Sequence, residues 1–290
     1  MKFTEKTSIL FLFSFSIFFV SCGGGDSKNI NETMVNDSLS KISTQKDTTD
    51  NTAAVFALPA PLQISTVLKN GNVVFSEKLL VPAKKNRSFS SDYLRAINLG
   101  VYTTDLGYST LFGQKQTTLN YYKEVNTLLN DLQISANVTS NQFKQFEKNL
   151  DNSDSLCTII LKSFGQWQSY FQENKREEDG LYILAGTYIE GLYLSLNHPS
   201  IQNKKEFRNL IGQQKLFLEN VLELSNYMDK KPEFDDLYMK LGSIQQAYEP
   251  IAVVVKQDNA GNANVLCSYS SKQLADLTAA VNKVRNEIIK

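Results

Sequence analysis

Apolar residues recur at alternating threes and fours along most of this chain. Phe234, Leu237, Leu241, Ile244, Tyr248, Ile251 and Val255 keep that spacing, and Leu274, Leu277, Val281, Val284 and Ile288 repeat it near the C-terminus. Such spacing lines one face of a 3.6-residue helix and predicts amphipathic helices that each bury one stripe. Leu156, Ile160, Phe164, Trp167 and Phe171 form another stripe, entered at Asn152 or Ser153, either of which suits the capping position. Two further stripes are Leu210, Phe217, Val221, Leu224, Met228 and Tyr122, Val125, Leu129, Leu132. A short helix is predicted from Pro61 to Asn70, with proline in its first turn and Asn70-Gly71-Asn72 as its stop.

No stretch shows the sustained alternation of a strand. The breaks at Gly113, Ser153-Asp154, His198-Pro199-Ser200, Lys231-Pro232 and the loop from Asp258 to Asn264 are short, so sequential helices should be antiparallel neighbours. Pro250 should kink the helix that contains it or end it near Glu249. The expectation is an all-α domain over residues 55–290, an irregular antiparallel array or bundle of about eight or nine helices. Leu106-Gly107, Gly113 and Leu119 to Tyr122 faintly resemble a tetratricopeptide hairpin, but no full repeat recurs at a fixed period.

Two isolated acids interrupt this pattern. Glu190 is the only charge between Asp179 and Lys204, in a helix apolar on nearly every side, and Asp105 is the only charge between Arg95 and Lys115. Asp105 shares helical spacing with Leu94, Ile97, Val101, Tyr108 and Phe112, which puts it on the face expected to be buried. Each acid has a glycine shortly before it, Gly186 and Gly100, and tyrosines nearby, Tyr188 and Tyr193 for Glu190, Tyr102 and Tyr108 for Asp105. A buried carboxylate is costly without a partner, so each acid should be hydrogen-bonded, paired, or beside a wet cavity. These six residues are the candidates for ligand binding or for a buried polar cluster.

The N-terminus follows different rules. Lys2 and Lys6 precede an apolar run from Ile9 to Val20, too short to span a bilayer and of the length of a secretory signal. Ser21-Cys22 at its end resembles a bacterial lipoprotein lipobox, with Phe19 where an aliphatic residue is usual. That resemblance implies a signal peptide over 1–21 and acylation of Cys22. Residues 22–54 are rich in Asn, Ser, Thr, Asp and Lys and read as a flexible polar tether, unable to bury enough apolar surface to offset its ordering entropy. Asp37-Ser38-Leu39 and Asp47-Thr48-Thr49 resemble the O-glycosylation triplet of exported Bacteroidota proteins, making Ser38 and Thr48 candidate glycan sites.

Charge and the remaining motifs mostly exclude. Of 30 basic and 30 acidic residues, removing Lys2, Lys6 and Glu5 leaves 28 and 29, too balanced for a nucleic-acid footprint or a polybasic membrane patch. His198 is the only histidine, beside Pro199 at a helix end, where a solvent-exposed ring is expected; it rules out a multi-histidine zinc site. Asp151-Asn152-Ser153-Asp154-Ser155 lacks the glycine and closing glutamate of a calcium loop and reads better as helix capping. No cofactor-binding or metal-binding motif is present, and no catalytic set accompanies the two acids. Cys157 and Cys267 remain as a candidate disulfide, although Cys157 also fits beside the Leu156 and Ile160 stripe as a small apolar residue.

Leu58-Pro59-Ala60-Pro61-Leu62-Gln63-Ile64, Asn98 to Leu106, Asn149 to Leu156 and Ala185-Gly186-Thr187-Tyr188-Ile189-Glu190-Gly191-Leu192-Tyr193 together resemble a set of Bacteroidota exported lipoproteins of unknown function. The resemblance covers most of the mature domain and implies an all-helical exported lipoprotein without assigning an activity. Two expectations of function follow. The first is a lipid-anchored protein of the cell envelope, at the outer membrane, serving as a non-catalytic helical scaffold for a protein or glycan partner. The second is a small-molecule binder or hydrolase using Glu190 and Asp105, which requires both carboxylates to open onto one solvent-connected pocket.

Overall fold

The computed structural model describes residues 63–83, 89–134, 142, 144–198, 205–225, 232–257 and 263–290. Residues 1–62, which include the expected signal peptide and tether with Cys22, Ser38 and Thr48, lie outside the described residues. The fold is all-α. Its helices are α1 (Gln63–Asn70), α2 (Asp92–Leu111), α3 (Lys115–Asp131), α4 (Ser153–Glu173), α5 (Glu177–Asn197), α6 (Lys205–Ser225), α7 (Pro232–Tyr248) and α8 (Ser271–Ile288). A 3₁₀ turn spans Glu77–Leu79, a further helical stretch covers 144–148, and one two-stranded hairpin, β1 (Ala252–Gln257) and β2 (Ala263–Ser268), precedes α8.

Helix ends follow local chemistry. The Asn152 side chain accepts from the Ser155 amide at 3.0 Å and caps α4, so the acidic stretch there serves capping. Ser270 and Gln273 form a reciprocal capping box at the start of α8. Tyr248 closes α7, two residues before Pro250, whose missing N–H forbids continuation.

The helical spacing of Ile251 and Val255 is overridden beyond that proline. Ala252 pairs with Ser268 and Gln257 with Ala263 in an antiparallel hairpin, so the apolar spacing does not continue as helix, and Ala263 and Asn264, expected at the end of a loop, open β2. Val253, Val254 and Val255 are β-branched, and a pleated ribbon accommodates their restricted χ1 angles better than a helix does. Val254 and Val255 face solvent, whereas Val265 and Cys267 close on Gly212 of α6.

The core is organised around α2 and α5, whose side chains are buried almost around the whole circumference. Sequential helices with short links behave as expected: Thr118 of α3 meets Ser109 of α2, and Tyr121 meets Tyr102, as in an antiparallel pair. The central pair is different. Tyr93 packs on Tyr182, Ile97 on Gly186 and Asp105 beside Glu190, so α2 and α5 run in the same direction although they are far apart in sequence.

Gly100 and Gly186 make that packing possible. A Cβ at Gly100 would stand 1.9 Å from the Ile183 carbonyl oxygen, and one at Gly186 would stand 1.9 Å from that of Ile97. The two backbones touch, and only hydrogen fits at either position. Thr104 and Thr187 satisfy local carbonyls at this crossing, Thr104 bonding the Gly100 carbonyl at 3.0 Å and Thr187 that of Ile183 at 3.0 Å. α8 runs antiparallel to both, since Asn98 bonds the Ile288 carbonyl at 2.7 Å and Asn197 bonds Asn282 at 2.8 Å.

Candidate functional site: a sealed carboxylate–arginine cluster beneath a strap

Helix geometry sorts the candidate tyrosines. Tyr193 lies three residues after Glu190 and therefore on its face, whereas Tyr188, two residues before, points to the far side. Tyr193 stacks under the Arg285 guanidinium, 3.8 Å from ring centroid to Cζ. Tyr188 instead donates to the Gln214 carbonyl at 3.3 Å and packs on Phe217 of α6, away from Glu190. Tyr102 and Tyr108, three residues either side of Asp105, share its face.

Glu190 and Asp105 come together, and both are 0% exposed. Arg285 of α8 enters between the helices and grips Glu190 with two bonds, Nε to Oε2 and Nη2 to Oε1, each 2.8 Å. This fork geometry is the strongest pairing a carboxylate makes with a side chain. Asp105 uses Oδ2 to accept from the Val81 amide at 2.9 Å. Its other oxygen has no donor but lies against Glu190.

Two carboxyls therefore face one guanidinium inside the protein. Burial pushes Asp105 well above the usual carboxylate range, and the adjacent Glu190 charge pushes it further, while the Val81 amide and Arg285 pull the other way. Burial raises Glu190 as well, against the stabilising bonds from Arg285 and from Asp105. The arrangement that balances charge is a protonated Asp105 donating through Oδ1 to an ionised Glu190 that is paired with Arg285⁺.

Above this cluster runs an irregular strap, Val73–Val81, whose backbone groups are met by buried side chains. His198 Nε2 bonds the Val74 carbonyl at 2.8 Å; since a carbonyl only accepts, Nε2 carries the hydrogen. The Ser76 amide donates to the Tyr108 hydroxyl at 3.0 Å. Arg285 Nη2 donates to the Leu79 carbonyl at 3.1 Å, the Val81 amide to Asp105, and the Tyr121 hydroxyl to the Val81 carbonyl. Side chains from α2, α3, α8 and the C-terminal end of α5 thus satisfy a segment that has no sheet partner and only one 3₁₀ turn of its own. Phe75 adds an apolar anchor, stacked 5.2 Å from Tyr108.

Three sequence expectations are corrected here. His198 is buried, not solvent-exposed, because the strap covers the end of α5 and uses the ring as a donor. Cys157 and Cys267 are both free thiols: Cys157 lies on α4 near Asp154 and Lys69, and Cys267 in β2 near Arg208 and Lys215, so no disulfide joins them. Burial pushes Cys157 up to about 11. The solvent-connected pocket required for a catalytic pair is absent at these acids, since Glu190 is sealed and paired.

Arg285, Tyr121 and the strap itself were not predicted. Arg285 had a signal: it falls four residues after Val281 and three before Ile288, on the α8 stripe. Tyr121 likewise precedes Val125 by four. Among the described residues no three His, Cys, Asp or Glu side chains gather as metal ligands, and no helix is long and apolar enough to cross a membrane. No protein-family model, curated protein or solved structure matches this chain.

Proposed function

We propose that this chain is a lipid-anchored protein of the bacterial cell envelope, related to the Bacteroidota exported lipoproteins it resembles, and that its helical domain is a non-catalytic scaffold for a protein or glycan partner. The observation that carries the non-catalytic reading is the fate of the two isolated acids. Glu190 is committed to Arg285 and Asp105 to Val81, and water reaches neither. A general acid or base has to reach the substrate's proton within hydrogen-bond distance, and these carboxyls serve the protein's own groups instead. The lipobox-like sequence ending at Cys22 and the long polar stretch behind it support the anchor.

Metabolic labelling with a palmitate analogue tests the anchor. The wild-type chain should take up label and sediment with membranes, and Cys22→Ser should lose both properties. An unlabelled, soluble wild-type chain would overturn the anchor. Turnover of any substrate that Asp105→Asn abolishes while keeping the fold would overturn the non-catalytic reading.

A further inference from the structure

The strap's own backbone bonds are few. Val73 reaches back to Leu68 at 3.4 Å, and the 3₁₀ turn supplies Leu79 to Ser76 at 3.2 Å and Leu80 to Glu77 at 3.1 Å. Its polar attachment to the body of the protein runs through the five side-chain bonds described above, two of them from the charged cluster, while Val73, Leu80 and Val81 are buried in the core and Phe75 and Leu79 pack against it. By contrast α2, α5 and α8 are locked to one another by backbone contact at Gly100 and Gly186 and by the Asn98 and Asn197 bonds. If the cluster's charge balance changes, the strap is the segment whose backbone bonds to Asp105 and Arg285 change with it.

We propose that the strap is a proton-gated latch, closed while the Asp105–Glu190 pair holds its one shared proton and released when that proton passes to a base in solvent. With the proton, Asp105, Glu190 and Arg285 sum to zero charge. Without it, two carboxylates stand side by side at 0% exposure with one guanidinium between them. An uncompensated buried charge is strongly unfavourable, and admitting water is the available relief. Lifting the segment that carries Leu79 and Val81 admits it without separating the central helices.

The groups facing Asp105 are Tyr102 and Tyr108 from α2, Tyr121 from α3, Glu190 and Tyr193 from α5, and Arg285 from α8, with Glu77 of the strap acting on Tyr121. Arg285 is the only cation in that set, and it is already engaged by Glu190. The Val81 amide favours ionised Asp105 and opposes release, but burial and Glu190 outweigh it. Tyr108, Tyr121 and Tyr193 are themselves raised by burial and stay neutral.

Hydrogen exchange of the full chain, followed by mass spectrometry from about pH 5 to 9 and corrected for intrinsic exchange, tests this. Peptides covering Val73–Val81 should lose protection with rising pH, approaching ~10-fold per pH unit, the slope of one proton. Peptides from α2 and α5 should stay protected over the same range. Asp105→Asn, whose amide replaces the protonated acid, should remove the slope. Tyr121→Phe, which takes away one strap bond and leaves the acids, should lower strap protection at every pH while keeping the slope. A pH-independent strap in the wild type, a slope that persists in Asp105→Asn, or a parallel loss in α2 and α5 would each overturn the latch.

Discussion

Arg285 brings one positive charge to two carboxyls, and which of them keeps the proton can be read from the bonds. Glu190 receives both arms of the guanidinium and is the natural anion, leaving Asp105 as the neutral acid. Asparagine reproduces that acid, accepting from Val81 and donating to Glu190, so Asp105→Asn should unfold in urea within about 1 kcal/mol of wild type at about pH 4, where the unfolded chain has hardly begun to gain from ionising Asp105. Glu190→Gln strands the guanidinium in the core and should cost about 3–5 kcal/mol in the same measurement. The pH dependence has a definite sign. Because the folded-state pKa of Asp105 is raised, its stabilising contribution is complete below the ordinary aspartate value of about 3.9 and declines as pH rises toward the folded value. The stability difference between wild type and Asp105→Asn should therefore move in favour of the variant as pH rises from about 4 to 8, and a difference that moves the other way contradicts the assignment. Glu190 and Asp105 were legible because each is a lone charge in an apolar helix. Arg285 was less so, since Lys283 and Glu287 flank it and only its position on the stripe betrays it. The burial of His198 had no local signal at all, because the strap that covers it is over a hundred residues away and carries no periodicity.

At the scale of elements, the crossing of α2 and α5 depends on the absence of two side chains. Gly186→Ala or Gly100→Ala drives a methyl into a carbonyl oxygen and should cost about 1–3 kcal/mol or prevent the helices from docking. Gly165→Ala on the exposed side of α4 meets nothing within 4 Å and should instead stabilise by about 0.5–1 kcal/mol. Thermal melts of the three variants compare close approach with helix propensity directly; equal shifts for all three would argue against the backbone contact. The helices themselves were readable from their stripes, since one buried face imposes a 3.6-residue period. The parallel direction of α2 and α5 was not, because short links constrain only sequential neighbours and this pair is separated by α3 and α4. The β-hairpin escaped for a related reason. Ile251 and Val255 continue the helical spacing by coincidence, and the decision is made by Pro250 and by three consecutive β-branched residues.

As a whole molecule, the domain resolves a packing problem that helices alone do not pose. An irregular strap crosses α2, α3, α8 and the end of α5, its backbone needs partners, and buried polar side chains supply them, two from a cluster that is neutral only as a unit. The proposed envelope scaffold would thus carry its unusual acids for the integrity and release of that strap, leaving the outer helix faces and the hairpin for contacts with a partner. The most direct measurement is a carbon-detected NMR titration of the Asp105 and Glu190 carboxyls in the full chain. The account predicts that at neutral pH Asp105 is protonated while Glu190 is ionised, and that the Asp105 proton is lost only well above the ordinary carboxylate range. Two carboxyls that both ionise at ordinary values would contradict it.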